Sequence, residues 1–171
     1  NLLSQVAVTP SGDGVFGVDP YEDSFAPSTL IMANEGSEKF DHFMHQRENT
    51  TDRLPYRGVT VLPDGKLLIT TAGKKSDGTD VSNLGVLEDF AAADAANPLA
   101  PFSGSSVDLH GTGDGELTFP TTVHVSRTGK VYVSDTGSKF YGSGQHRLVQ
   151  YDLNGNYQDD YGEENPDGRS D

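Results

Sequence analysis

Carboxylates are the chemically capable side chains this sequence offers most often, with 26 Asp and Glu among 171 residues. Asp19, Glu22, Asp23, Asp77, Asp80, Asp114, Glu116 and Asp135 all fall in or beside Gly- and Ser-rich connections between apolar runs. Carboxylates joined by backbone carbonyls form the oxygen shell that a hard cation such as Ca2+ requires. Asp19, Asp114 and Asp135 are the residues read as its ligands. A second arrangement, Asp152-x-Asn154-x-Asn156 followed by Glu163, has nearly the spacing of an EF-hand loop. Its sixth position is Tyr157, where that loop turns on a glycine, and the same residues read as strand, Asn-Gly turn, strand.

Other motifs point away from catalysis. "GTGDG" at Gly111–Gly115 has the look of a phosphate-cradling loop, but Glu116 stands where its last glycine belongs and a strand follows. His42 and His45 lie three apart, which on a strand sends them to opposite faces. His124, in "TVHVS", alternates away from Val123 and Val125 and reads as a packing histidine. No GxSxG elbow and no HExxH pair occurs. Cysteine is absent, which removes disulfides, thiolate nucleophiles and zinc–thiolate sites. Aromatic side chains in two of the connections, Tyr21 and Phe25, then Phe140 and Tyr141, suit contact with a protein or glycan, and His146 closes the second of them.

The elements that must hold these residues are short strands. Glycine (20) and proline (9) are frequent, and only Leu87–Ala96 has a helix-favouring composition. Three segments superimpose: "VAVTPSGDGVFGVD", "GVTVLPDGKLLITT" and "TVHVSRTGKVYVSD", with Val6, Val59 and Val123 spaced by 53 and 64 residues. Each is a strand, a glycine turn and a second strand, followed after a polar gap by another hairpin. Four strands per repeat at such a period predict an all-β β-propeller of about three four-stranded antiparallel blades, over residues 2–46, 54–104 and 117–163. The predicted core is Val6, Val8, Val15, Val18, Leu30, Val59, Val61, Leu68, Ile69, Val123, Val125, Val131, Val133, Leu148, Val149 and Tyr151.

The segment "GTGDGELTFPTTVHVSRTGKVYVSDTGSKF", continued by "HRLVQYDLNGNYQDDYG", resembles an NHL-type propeller repeat. The likeness is specific over Gly111–Gly162, weaker over Leu54–Phe90 and loose over Leu2–Phe43, and Thr122 replaces the usual glycine. It implies membership of a closed ring, six blades being common in that family. Naming the strands of a blade a to d from inside out, the short turns are a–b (Ser11–Gly14, Pro63–Gly65, Arg127–Gly129) and c–d (Asn34–Ser37, Asn154–Asn156). The long connections are b–c (Asp19–Ser28, Ala72–Asn83, Thr136–His146) and d–a (Met44–Tyr56, Ala95–Thr118). All elaboration is thus expected on one face, where loops on a rigid scaffold carry contacts.

A net charge of −14 makes nucleic acid and membrane surfaces poor partners. No apolar run approaches the roughly 18 residues of a membrane span. The start at Asn1 rather than Met is read as processing after export, to an extracellular or periplasmic location. The function expected is a non-catalytic binding or scaffold module that contacts a protein or glycan. Because three blades cannot surround an axis, further blades from a longer chain or a symmetry mate are expected to complete the ring. The alternative is a Ca-dependent lactonase-, hydrolase- or lyase-like enzyme, since gluconolactonase-type proteins and peptide-amidating lyases resemble this architecture. Those enzymes carry Asn or His after the proline before strand a. Here Thr121 follows Pro120, and Tyr56-Arg57 follow Pro55.

Overall fold

Apolar runs broken by glycine turns fold as hairpins, because a turn glycine reverses the chain while alternation keeps one apolar face on both strands. The computed structural model describes residues 5–12, 14–19, 29–34, 41–44, 54–75, 77–88, 99–136 and 146–163, with backbone alone at 19, 29, 31, 34, 41–44 and 163. The first sheet holds β1 (Gln5–Val8), β2 (Gly14–Asp19), β3 (Thr29–Asn34) and β4 (Asp41–Met44). The second holds β5 (Tyr56–Val61), β6 (Leu67–Lys74), β7 (Asp80–Leu87) and β8 (Leu99–Pro101). The third holds β9 (Pro120–Val125), β10 (Lys130–Asp135), β11 (His146–Asp152) and β12 (Tyr157–Glu163). Every neighbouring pair is antiparallel. Among the described residues there is no helix; Leu87 of the helix-favouring stretch ends β7, and 89–96 lie outside them.

The sheets stand side by side. β5 lies against β1 and β2 on one side and against β9 on the other, a propeller-like fan with first strands innermost. Two apolar seams follow. Ala7, Phe16, Val18 and Leu30 of the first sheet meet Tyr56, Val59, Leu67, Ile69 and Leu87 of the second. The other side of the second sheet, with Leu62, Leu68, Leu84 and Val86, meets Val123, Val131, Val133, Val149 and Tyr151 of the third. Each fully buried large aliphatic side chain contributes about 1.5–3 kcal/mol.

Four predicted core residues are exposed instead: Val6, Val8, Val15 and Leu148. They lie on the outward faces of the two end sheets, where no sheet stands opposite among the described residues. Val61 and Val125 are partly buried, and the other ten predicted members are buried.

The second sheet also departs from the expected loop pattern. β6 and β7 run on to Lys74 and from Asp80, so their connection is the five-residue turn 75–79 rather than Ala72–Asn83. It closes through Lys75 N–H to Thr79 O (2.9 Å) and Gly78 N–H to Lys75 O (2.9 Å). The long connection is 88–98, on the opposite face, because β8 pairs with β7 through Gly85–Pro101, Val86–Ala100 and Leu87–Leu99. Elaboration is therefore not confined to one face.

After β8 the chain leaves the sheet and returns. Val107 O accepts Leu84 N–H (3.1 Å), and Leu109 N–H donates to Ser82 O (2.9 Å). The excursion carries Phe102 into the second seam, edge-on to Tyr151 with ring centroids 6.2 Å apart.

Candidate functional site

The connection 136–145 joins Asp135, the last residue of β10, to His146, the first of β11. Alternation places Asp135 on the inward face with Val131 and Val133, and places Arg147 there with Val149 and Tyr151. The register sets Asp135 opposite Arg147. Asp135 is fully buried and accepts hydrogen bonds from Thr118 N–H (2.9 and 3.0 Å), the Thr118 hydroxyl (2.9 Å) and Phe119 N–H (2.6 Å). Arg147 Nε lies 3.6 Å from its second oxygen. The guanidinium also donates to Asp160 (2.8 Å), Glu116 O (2.8 Å) and Gly113 O (3.4 Å). A buried charge tolerates burial only when paired and hydrogen-bonded in this way.

Asp135 was read as a calcium ligand. Its oxygens face backbone and side-chain donors of the protein itself, so it anchors the 111–119 segment instead. Asp114 is exposed at the tip of that segment. Beside it the Tyr151 hydroxyl donates to Gly115 O (2.8 Å), and Glu116 accepts Gly113 N–H (2.9 Å). Burial pushes the Tyr151 phenol far above its usual range, with the charge of Asp135 adding to the shift. Asp19 ends β2 opposite Thr29, described by backbone only. Among the described residues no group of three or more His, Cys, Asp or Glu is placed to hold a metal. His146 is exposed, opposite Glu163. Tyr21, Phe25, Phe140 and Tyr141 lie outside the described residues.

The EF-hand-like run closes on itself. Asp152 accepts Asn154 N–H (2.8 Å), Asn156 N–H (2.9 Å) and the Asn156 side-chain amide (2.8 Å). These bonds, led by that of the Asn156 side chain, hold its carboxyl below the ordinary value of 3.8. Gly155 adopts φ +79°, and a Cβ there would sit 1.7 Å from Phe102 O, so the turn docks on the backbone just after β8 as only glycine allows.

Sequence reasoning missed a Ser–His–Asp grouping that only the 102–119 connection assembles. Ser82 Oγ lies 3.2 Å from His110 Nδ1, and Asp108 Oδ1 accepts the backbone N–H of Ser82 (3.2 Å) and of His110 (3.1 Å). The Ser82 hydroxyl donates to Thr118 O (2.8 Å), so the imidazole N–H donates to Oγ rather than taking its proton. Ser82 is fully buried, and Asp108 orients backbone rather than imidazole. This is a structural knot, not a nucleophile.

Gln5 was also missed. Its amide oxygen accepts Val59 N–H (3.1 Å) and Val123 N–H (3.3 Å), and its amide nitrogen donates to Val123 O. One side chain on β1 thus ties β5 and β9 at the inner rim. A Cβ on Gly58 would stand 2.6 Å from the Gln5 oxygen and 2.8 Å from Thr121 O. At the positions after Pro55 and Pro120, where an enzyme reading expects Asn or His, Tyr56 is buried, Thr121 bonds Ser134 Oγ (3.0 Å), and the Arg57 guanidinium stacks 4.8 Å from the centre of the Phe119 ring.

The chain matches no family model and no curated protein sequence. Among solved structures it is similar to fructan 1-exohydrolase IIa from Cichorium intybus, at 15% identity and TM-score 0.48, over 94% of this chain and 31% of that one. It is similar also to a protein of unknown function from Bacteroides caccae, at 11% identity and TM-score 0.30, over 94% of this chain and 81% of that one. The chain thus spans about a third of the length of the exohydrolase.

Proposed function

We propose that this chain is a non-catalytic, exported β-propeller segment of NHL type, within a six-bladed ring, that contacts a protein or glycan through the connections 20–28 and 136–145. The observation that carries the reading is the root of the second connection. Asp135 at one end, and Arg147 one residue beyond the other, are locked into the seam beneath by hydrogen bonds and by burial. Contact loops work best on stems of this kind, because a fixed stem lowers the ordering cost of binding. Tyr21, Phe25, Phe140 and Tyr141 supply the contact area, with His146 at the rim.

Titration calorimetry against neutral and anionic oligosaccharides, with calcium and with chelator, tests the glycan arm and any role for Ca2+. The expected result is saturable binding that Phe140→Ala with Tyr141→Ala weakens about tenfold or more, the weight of an aromatic hot spot, at unchanged melting temperature. For the protein arm, a photo-crosslinking residue at position 141 should capture a defined partner that one at position 64, in the β5–β6 turn, does not. Equal capture from both positions, with no saccharide bound, removes the proposal.

A further inference from the structure

The described hairpin tips turn on glycines with positive φ, and one of these glycines is docked. A Cβ added at Gly12, Gly65 or Gly78 would meet no atom within 4 Å, and one at Gly129 would meet only the flexible Leu153 side chain. Gly155, at the β11–β12 tip, is buried. A Cβ there would collide with the Phe102 carbonyl and stand 3.0 Å from Ser103 Cα. The tip is thus seated on the start of the 102–119 connection, whose Phe102 ring packs on Tyr151, the residue before the turn. Hydrogen bonds fix the turn in that seat. Gly155 N–H donates to Asp152 O (3.1 Å), Asp152 N–H donates to Asn156 O (2.9 Å), and the Asp152 carboxylate accepts Asn154 N–H and Asn156 N–H.

The residue before this glycine is Asn154, which is exposed. An asparagine followed by glycine sets a side-chain amide beside a main-chain nitrogen that no side chain hinders. The Gly155 nitrogen gives its proton to water and bonds to the Asn154 side-chain carbonyl carbon, and ammonia leaves, closing a succinimide. Water opens that ring at the side-chain carbon to give aspartate, or at the main-chain carbon to give isoaspartate. Water enters, ammonia departs, and nothing is oxidised or reduced. Two features of the docked turn oppose the first step. The Gly155 N–H is engaged with Asp152 O, and the rotation that brings this nitrogen onto the side chain lifts the glycine from its seat. Asp64-Gly65 and Asp77-Gly78 share the turn bond, from Gly65 N–H to Leu62 O and from Gly78 N–H to Lys75 O (2.9 Å each), but have neither a seat nor an amide to expel.

We propose that Asn154 is a site of spontaneous deamidation that the docked turn holds unreactive, and that its isoaspartate product releases the β11–β12 tip irreversibly from the 102–119 connection. Isoaspartate carries the main chain through the side-chain carbon, which adds a methylene between positions 154 and 155. The bonds of Gly155 and Asn156 to Asp152 then cannot be kept while Gly155 sits on Phe102. The inference stands on the turn and its seat, independently of what the loops contact.

The test incubates the 171-residue chain at mildly alkaline pH, folded and in urea, and follows Asn154 by peptide mapping that separates asparagine, aspartate and isoaspartate. Conversion should be at least about tenfold slower in the folded chain, since reaction waits on local opening of the turn. Asp152→Ala removes the carboxylate that holds the turn but leaves the reacting pair intact, and should quicken conversion in a chain that still melts cooperatively. The isoaspartate form, isolated by chromatography, should exchange the Gly155 and Asn156 amides at least about tenfold faster and show shifted Phe102 and Ser103 resonances. Equal rates in the folded and unfolded chain overturn the proposal, as does an Asn154 that stays unconverted in urea. So does a folded Asp152→Ala chain that converts no faster, or an isoaspartate form whose Phe102, Gly155 and Asn156 signals match those of the unmodified chain. Should Asp152→Ala not fold, the wild-type comparison and the isolated product decide.

Discussion

The two seams of this molecule solve the same packing problem by different means. The first, between β1–β4 and β5–β8, is aliphatic and aromatic, and Gln5 is the polar side chain described at its inner rim. The second adds to its apolar core a buried Asp135–Arg147 pair, the Ser82 hydroxyl, the Tyr151 phenol on Gly115 and the Arg57–Phe119 stack. Apolar contact is non-directional, so it supplies adhesion without fixing one geometry. Buried polar groups tolerate a single arrangement, since any other leaves them unpaired. The second seam is thus the specified one, and the 102–119 connection specifies it. That connection delivers Phe102, Thr118, Phe119 and the carbonyls of Gly113, Gly115 and Glu116 to one place.

The sharpest way to break the contrast is Arg147→Ala. It leaves Asp135 buried beside donors but without its cation, and should cost about 3–5 kcal/mol in urea unfolding. Combining it with Asp135→Leu should return part of that loss, as expected when an uncompensated charge rather than a missing contact sets the cost. A loss near zero for Arg147→Ala alone would mean that the second seam is held by its apolar groups, like the first.

Leu30→Ala in the first seam should cost about 2–4 kcal/mol by cavity formation. Hydrogen exchange should quicken in β1–β3 before β9–β12, because the first sheet is held mainly through that seam. Uniform acceleration across all three sheets would show the seams to be one cooperative unit.

Gln5→Ala removes the partner of two inner-rim N–H groups and should cost about 1–3 kcal/mol, with faster exchange at Val59 and Val123. No change at those amides would assign the rim to backbone contacts alone.

The smallest expected effect is one of pH. Hydrogen bonds hold Asp152 and Asp77 below the ordinary value of 3.8, led by the side chains of Asn156 and Thr79. A depressed folded-state pKa contributes stability that is present above the ordinary value and lost as pH falls through the folded one. Acid should therefore loosen the 152–156 and 75–79 turns, which carboxyl NMR titration would follow, while the first seam, which has no such group among the described residues, stays unchanged. Midpoints at or above the ordinary value would rule the turn hydrogen bonds out as a stabilising device.

Much of the architecture is local and so was legible. The hairpins β1–β2, β5–β6, β9–β10 and β11–β12 follow from alternation around glycine turns, and both signals lie within a dozen residues. The β6–β7 connection was misjudged because Ala72, Gly73, Ser82 and Asn83 look like loop residues, yet they pair in register. Small and polar residues are tolerated in that stretch because the second sheet is covered on both sides, and packing there overrides strand propensity.

The sequence by itself determined the all-β class, the repeated strand–turn–strand unit and the alternation that buries one face of each strand, since these depend only on neighbours along the chain. It also limited the chemistry, lacking cysteine and the nucleophile and zinc motifs. Only the tertiary structure decided which apolar face is covered. Val6 and Val59 have the same local pattern, yet one is 53% exposed and the other 0%, because burial depends on whether another sheet stands opposite. It decided equally that Asp135 anchors a loop rather than offering an open ligand. The donors from Thr118 and Phe119 arrive from 17 and 16 residues away along the chain, a distance at which sequence pattern carries no information about contact.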